Sequence, residues 1–459
     1  MVSVPHSPEF VLQSEFGSAA GLCPLTPGMT HTSDEETDDS IARVGMHAAL
    51  LRWPGSRRLL CVFRLSDVAV DDGTDGNSLP HRRRLTSSLH YAELDGSAST
   101  LLSTAPGLAG QARLLPLLTW PTRQLLAGPE DGRLFTLGGR PAVLYNDVLP
   151  DRSLTPVADT MPAPAAKWRI RRGLYLSALM HEEAWGGGES LQLRPSAPIL
   201  LQPSLAAQRA AGAASDVEKN WVPFQHNGTL MLAYSIDPHL ILRVSPAALA
   251  AAERNAEAAA QRGDPPQSEV TAELVHSSRF TLDRPADDRD ASITRPMMRG
   301  GTPPVKLGGR HVAFMHTVWR RGGRSMYAIA AYAFSAAPPF AIEAVTPPFS
   351  LGRHATPYPI GLVASKRHLL LSYGVADRTW YVAKIDRDQL LAALVPVRTD
   401  DQTDAVLGQA NRSGAQGEPG AMPGAVHHAL PRQLHFFRSV PADVRAAMVA
   451  SLNSGPDRT

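Results

Sequence analysis

Residues 133–147 read RLFTLGGRPAVLYND, two apolar runs on either side of Gly138-Gly139. Paired glycines accept positive φ at both central positions of a two-residue turn, so this stretch is a β-hairpin. Working outward, the same unit recurs. Residues 222–234 (VPFQHNGTLMLAY) turn at Asn227-Gly228, and residues 305–316 (VKLGGRHVAFMH) turn at Gly308-Gly309. A further copy turns near Lys366 and ends in LLLSY at 369–373, and a fainter one runs from Ala48 through Gly55 to Arg64. Five hairpins at wide, regular intervals with little helical periodicity predict an all-β chain, a five-bladed β-propeller with surface insertions, with a β-sandwich as the second architecture. The strands ending at Arg64, Tyr145, Tyr234, His316 and Tyr373 are then expected to be equivalent inner strands that aim these residues into one axial cavity.

The flanks of this repeat differ in composition. Residues 1–40 end in the acidic run Asp34 to Asp39 and read as a flexible lead-in to a propeller over 41–398. Residues 246–269 are Ala-rich and read as an insertion carrying a short helix, residues 399–424 as a mobile loop, and residues 425–459 as a C-terminal segment that packs on the propeller or stays flexible. Forty-five Lys and Arg against 43 Asp and Glu leave a formal charge of +2, which supplies no global field for nucleic acid. The run His81-Arg82-Arg83-Arg84 lacks the interleaved aromatics that would stack on bases and reads as a solvated loop. Two cysteines make neither a disulfide framework nor a four-ligand zinc site, and no apolar run is long enough to span a membrane. A soluble chain is expected, in the cytoplasm or the lumen of the secretory pathway, with no metal or cofactor; the oligomeric state is not legible.

Four segments carry the chemistry. Glu130-Asp131 with Arg133 stands at the mouth of the second hairpin. Glu218-Lys219-Asn220-Trp221 stands before the third, an acid, a base, an amide and an aromatic of the kinds that line sugar pockets. Arg299-Gly300-Gly301-Thr302 combines a planar guanidinium with backbone that a ligand can approach closely. Tyr373-Gly-Val-Ala-Asp377-Arg378 follows the last hairpin.

Together these segments resemble the five-bladed propeller group around glycoside hydrolase family 130 and glycosyltransferase family 108, which comprises mannoside phosphorylases, β-mannosidase-like hydrolases and mannosyltransferases. The likeness is to a branch that carries an EKNW motif, and it covers residues 40–395. It implies that Asp131 is the general acid, that His316 contacts phosphate, and that Tyr373 and Asp377 belong to a Y-G-x-x-D segment. Gly132 stands where the group has proline, and Asp39-Ser40-Ile41 is the only counterpart of its first-blade Asn-Pro-Ser.

The expected function is glycosyl transfer to or from a phosphate-bearing sugar, mannosyl by the resemblance, with Asp131 as acid/base. Arg64, Glu130, Arg133, Lys219, Asn220, Trp221, Arg299, His316, Tyr373 and Asp377 are the expected substrate-binding residues. The partners are a sugar or glycan with a sugar phosphate, nucleotide-sugar or inorganic phosphate. Cations from three segments, Lys219, Arg299 and Arg378, beside one acid favour a phosphate over ordinary inverting hydrolysis, which needs a second carboxylate about 6.5–9.5 Å away, from Asp377 or Glu218. A silent glycan-binding propeller and a protein-interaction propeller are the other readings.

Overall fold

The computed structural model describes residues 41–53, 55–69, 85–94, 96, 113–117, 126–149, 172–182, 192–212, 220–264, 268–281, 297–321, 324–349, 351, 357–375, 379–401 and 403. All five expected hairpins are present, each within its own module. The first module holds β1 (Ile41–Arg52), β2 (Leu59–Ala69) and β3 (Leu85–Leu94), with the short β4 (Arg113–Leu114) and β5 (Leu126–Ala127) beside β3. The second holds β6 (Glu130–Leu137), β7 (Arg140–Val148), β8 (Arg172–Glu182), β9 (Gln192–Pro195) and β10 (Ile199–Pro203), followed by helix α1 (Leu205–Ala211). The third holds β11 (Val222–His226), β12 (Thr229–Ile236) and β13 (His239–Val244), then helix α2 (Pro246–Gln261) and β14 (Glu269–Thr281). The fourth holds β15 (Met297–Gly300), β16 (Val305–Leu307), β17 (Arg310–Arg321), β18 (Arg324–Ser335) and β19 (Ile342–Val345). The fifth holds β20 (Pro357–Ala364), β21 (His368–Val375) and β22 (Thr379–Asp386), capped by α3 (Arg387–Ala392).

What joins the modules is visible in how each strand divides its side chains. Along β12, Leu230 and Leu232 enter one core with the second module, and Met231 and Ala233 enter another with the fourth. Along β2, Leu60 and Val62 face the second module while Leu59, Cys61 and Phe63 face the fifth. The same period-two division occurs on β7, β17 and β21, so each sheet buries both faces, and strands buried on both faces read as near-continuous apolar runs. Five such cores lie between consecutive modules. The fifth, in which Ala48, Leu50 and Phe63 meet Val363, Leu370 and Trp380, returns the last module to the first and closes a propeller-like ring.

The ring departs from five separate sheets in one place. β10 pairs in parallel with β14, fusing the second and third modules into a ten-stranded sheet. Helix α2, capped by Ser245 and begun by Pro246, lays Leu249, Ala252 and Ala256 on the core of that fused sheet, so the Ala-rich stretch is packed against the body of the protein. The C-terminal part of the described chain runs back across the ring. β23 (Val395–Pro396) pairs with β19 and β24 (Arg398–Asp401) with β14, so the loop expected from Thr399 begins as a strand. Thr403 donates to the Asp401 carboxylate just beyond it. The expected segments 1–40 and 425–459, and the rest of 404–424, lie outside the described residues.

Trp221, expected on a sugar-binding wall, has none of its surface exposed. It belongs to the core between the second and third modules and meets Tyr234 edge-on at 5.0 Å. Truncation to alanine is therefore expected to cost about 3–5 kcal/mol, the usual loss for a large buried aromatic, read as a lowered midpoint in denaturant unfolding followed by circular dichroism.

Candidate functional site

The first strand is interrupted in four of the five modules. β1 slips register between Met46 and Ala49, β6 between Glu130 and Arg133, and β20 between Pro359 and Gly361. In the third module Asn220 precedes β11, and in the fourth the chain breaks between β15 and β16 at Gly301-Thr302. Three residues at these breaks, His47 (φ 54°), Asp131 (φ 51°) and Asn220 (φ 67°), are non-glycine residues in the left-handed region. Such conformations are uncommon away from turns, and bulges that adopt them re-aim side chains. Here they turn side chains from three modules toward one another.

Asp131 lies at the centre. His47 Nδ1 is 2.8 Å from Asp131 Oδ1 and must carry a proton to donate to a carboxylate, and Arg64 approaches the same oxygen at 3.9 Å. Burial pushes the Asp131 carboxyl up, but His47, Arg64 and Arg133 together outweigh it and hold the group well below the ordinary carboxylate range. Its neighbour Glu130 is bound separately, by Arg64 at 2.7 Å and Arg172 at 3.2 Å. Arg172 also donates to Asn146 Oδ1 and to the carbonyl of Gly128, fixing the segment that leads into Glu130.

Arg133 was expected to bind substrate, but it has no exposed surface. Its guanidinium donates to the carbonyl of Gly301 (2.8 Å), the carbonyl of Asp131 (3.2 Å), Asn220 Oδ1 (3.3 Å) and the Tyr358 hydroxyl (2.8 Å), so one side chain of the second module holds the third, fourth and fifth. Tyr358 in turn donates to Asn220 Oδ1 and packs between His47 and His316, with ring centroids 4.9 and 4.7 Å apart. Arg299 stands opposite His316 in the β15–β17 register, is half-buried, and acts electrostatically on Tyr358.

The expected site residues thus divide. Arg64, Glu130, Asp131, Asn220, Arg299 and His316 come together, and Arg133 joins them as the tie beneath. Trp221 and Tyr373 do not. Tyr373 is fully buried in the core between the fourth and fifth modules and stacks on Tyr381 at 5.8 Å. The strand-end residues proposed as inner are on second strands: Arg64, Tyr145, Tyr234, His316 and Tyr373 occupy β2, β7, β12, β17 and β21, one strand away from the axis. Tyrosines there pack between sheets; only Arg64 and His316 reach inward. Lys219, Asp377, Glu218 and Arg378 lie outside the described residues. His47, Tyr358 and Arg172 are the residues that the sequence reading missed. A histidine inside the apolar run around Ala48 and a tyrosine between two prolines at 357–359 were the available signals.

A third carboxylate adjoins the pair. Asp147 on β7 is buried, accepts from the Val148 amide at 2.7 Å, and has its other oxygen, Oδ2, without a hydrogen-bond partner. Burial pushes it up to about 6, with Glu130 adding to the rise against the opposing pull of the Val148 amide and Arg172.

No protein-family profile matches the chain, and no curated protein does. Among solved structures it is similar to a β-1,2-mannobiose phosphorylase from Listeria innocua (12% identity over 78% of this chain and 94% of that one, TM-score 0.43). It is also similar to a putative glycosidase from Bacteroides thetaiotaomicron (14%, 75% and 88%, 0.43) and to a mannose phosphorylase from Leishmania mexicana solved with phosphate ion (11%, 79% and 89%, 0.38). At these identities and scores the functional reading rests on the site itself.

Two outcomes follow from the geometry. Arg133→Met leaves several buried acceptors without a donor and is expected to cost at least about 3 kcal/mol in denaturant unfolding. Asp147 binds a proton more tightly folded than unfolded, so its contribution favours the folded state below about pH 4, the usual unfolded value, and is lost as pH rises toward 6. Asp131 works oppositely and lower, stabilising above about pH 4 and failing as pH falls below it. Unfolding free energy measured from pH 4 to 7 should accordingly fall by about 2–3 kcal/mol more in the wild type than in Asp147→Asn.

Proposed function

We propose that the chain is a five-bladed β-propeller, its second and third blades joined, that transfers a glycosyl group between a phosphate-bearing sugar and a hydroxyl acceptor, with Asp131 as the acid/base. The observation that carries this reading is the convergence of His47, Asp131 and Asn220, three left-handed residues from three modules: His47 bonds the Asp131 carboxylate, Arg64 approaches it, and Arg133 joins the Asp131 carbonyl to Asn220. Local backbone strain of this kind costs about 1–3 kcal/mol per residue and persists where the surrounding structure over-determines it, commonly at active sites.

The charge state of Asp131 suits one direction of the chemistry directly. As an anion it takes the proton of an acceptor hydroxyl while that oxygen attacks the anomeric carbon. The carbon–oxygen bond to phosphate breaks, its electron pair leaves on phosphate, and the sugar passes through an oxocarbenium-like state. In the reverse direction the same carboxyl, protonated, delivers that proton to the leaving oxygen as phosphate attacks. Arg299 and Arg64 are half-buried cations that this reading assigns to the phosphate, with His316 opposite Arg299 in register. Glu130 is the lesser candidate for proton transfer because two arginines already hold it. Mannose as the sugar rests on the motif resemblance.

The test is a turnover screen of sugar 1-phosphates and nucleotide-sugars against simple acceptors, with Asp131→Asn as the comparison. Asparagine tolerates positive φ and nearly preserves volume, so folding is expected to survive while turnover falls by about 10²–10⁴-fold, the usual share of general acid–base catalysis. Glu130→Gln should lower stability more than rate. Unchanged turnover in Asp131→Asn would move the chemistry elsewhere, and glycan binding without turnover by any donor would favour a silent sugar-binding propeller.

A further inference from the structure

His47 is not a substrate-facing group of ordinary kind. It is 5% exposed, sits at a register slip in β1, and adopts a left-handed backbone that a histidine rarely takes. Three features of the surrounding modules hold its ring in place. Tyr358 packs against it from β20. Gly374 on β21 leaves the notch it fills, since a β-carbon at 374 would stand 2.2 Å from His47 Cδ2. Asp131 accepts from Nδ1 at 2.8 Å. The first and fifth modules are thus shaped around a single hydrogen bond to a carboxylate of the second.

We infer that His47 is a positioning residue for Asp131: seated in the Gly374 notch, it fixes the orientation of the carboxylate and keeps it in the ionised, proton-accepting form. A hydrogen-bond donor to a carboxylate favours its charged state whether the imidazole is neutral or protonated. Other groups face Asp131 as well. Arg64 comes from β2, Arg133 and the neighbouring carboxylate Glu130 from β6, and the Tyr358 hydroxyl from β20, with Arg299 beyond Tyr358. Arg64 is shared with Glu130, and Arg133 reaches the Asp131 carbonyl with its hydrogen bond, which leaves His47 as the only side chain within hydrogen-bond distance of the carboxylate among the described residues. This inference rests on the reading of Asp131 as the acid/base, yet its first consequence is a titration that needs no substrate.

The experiment compares two substitutions in the full chain. His47→Leu removes the donor. His47→Asn keeps an N–H donor at the same distance along the side chain, and asparagine accepts left-handed backbone. Titration of the Asp131 carboxyl by carbon-13 NMR, assigned through loss of its signal in Asp131→Asn, should shift upward by about one pH unit or more in His47→Leu and return toward the wild-type curve in His47→Asn. With turnover available, the acid limb of kcat/KM in the transfer direction should move by the same amount and in the same order. Gly374→Ala, which crowds the ring out of its notch, should shift the titration in the direction of His47→Leu, and it serves if His47→Leu fails to fold. An unshifted titration in His47→Leu, or an equal shift in His47→Leu and His47→Asn, overturns the inference. Absence of turnover in the wild type together with a shifted titration would count against glycosyl transfer alone and uphold the role of His47.

Discussion

The guanidinium of Arg133 is the contact on which the ring and the site both depend. A propeller-like ring leaves its inner strands at the axis with no neighbouring strand on their inner edge, so backbone acceptors there need donors from elsewhere. Arg133 supplies them in a fixed planar fork that an ammonium group does not reproduce. Through Gly301, Asn220 and Tyr358 it binds three other modules, and through the carbonyl of Asp131 it binds the peptide unit that aims the candidate acid/base. Arg133 therefore ties four modules together and holds the Asp131 peptide unit, while the core between the fifth and first modules completes the ring and His47 bonds the Asp131 carboxylate.

The second constraint is that every sheet is buried on both faces. A first strand with an unbroken ladder would send alternate side chains into the two flanking cores, and a charged group there would be left without water or partner. The polar residues of the site occur where the ladder is broken: His47 at the slip in β1, Asp131 at the slip in β6, Asn220 before β11, Gly301 between β15 and β16. The interruptions are the means by which an apolar architecture presents charge at its axis, and three of the five non-glycine left-handed residues among the described residues, His47, Asp131 and Asn220, lie there.

The sequence made the hairpins legible because their turns are local. Gly138-Gly139, Asn227-Gly228 and Gly308-Gly309 all have positive φ at both central residues, as their types demand. It made the E-D-x-R segment legible for a related reason, since it adjoins such a turn. What it did not reveal is which strand of each hairpin is innermost. Period-two alternation is identical for a first and a second strand when both are buried on two faces, so Tyr145, Tyr234 and Tyr373 were placed at the axis when they pack between sheets. The partners of Asp131 and Arg133 are separated from them by 84 residues for His47 and 225 for Tyr358, distances over which no spacing pattern carries information. The parallel pairing of β10 with β14 and the return of β23 and β24 across earlier modules escaped for the same reason.

Adjacent carboxylates ordinarily raise each other's proton affinity, and in a regular strand Glu130 and Asp131 would point to opposite faces. The slip in β6 removes the second condition, and the arginines answer the first. Glu130 takes Arg64 and Arg172 at 2.7 and 3.2 Å and is neutralised by groups of the first two modules. Asp131, turned by its positive φ, takes His47 and is approached more distantly by Arg64. Two carboxylates one residue apart thus have different partners. Glu130 ties β2 and β8 to the head of β6 through Arg64 and Arg172. Asp131 is held by the imidazole of His47, itself fixed in the Gly374 notch, with the Arg64 guanidinium farther off at 3.9 Å. The proposal that Asp131 rather than Glu130 moves the proton rests on that difference: two arginines already hold Glu130, whereas a single imidazole is bonded to the Asp131 carboxylate.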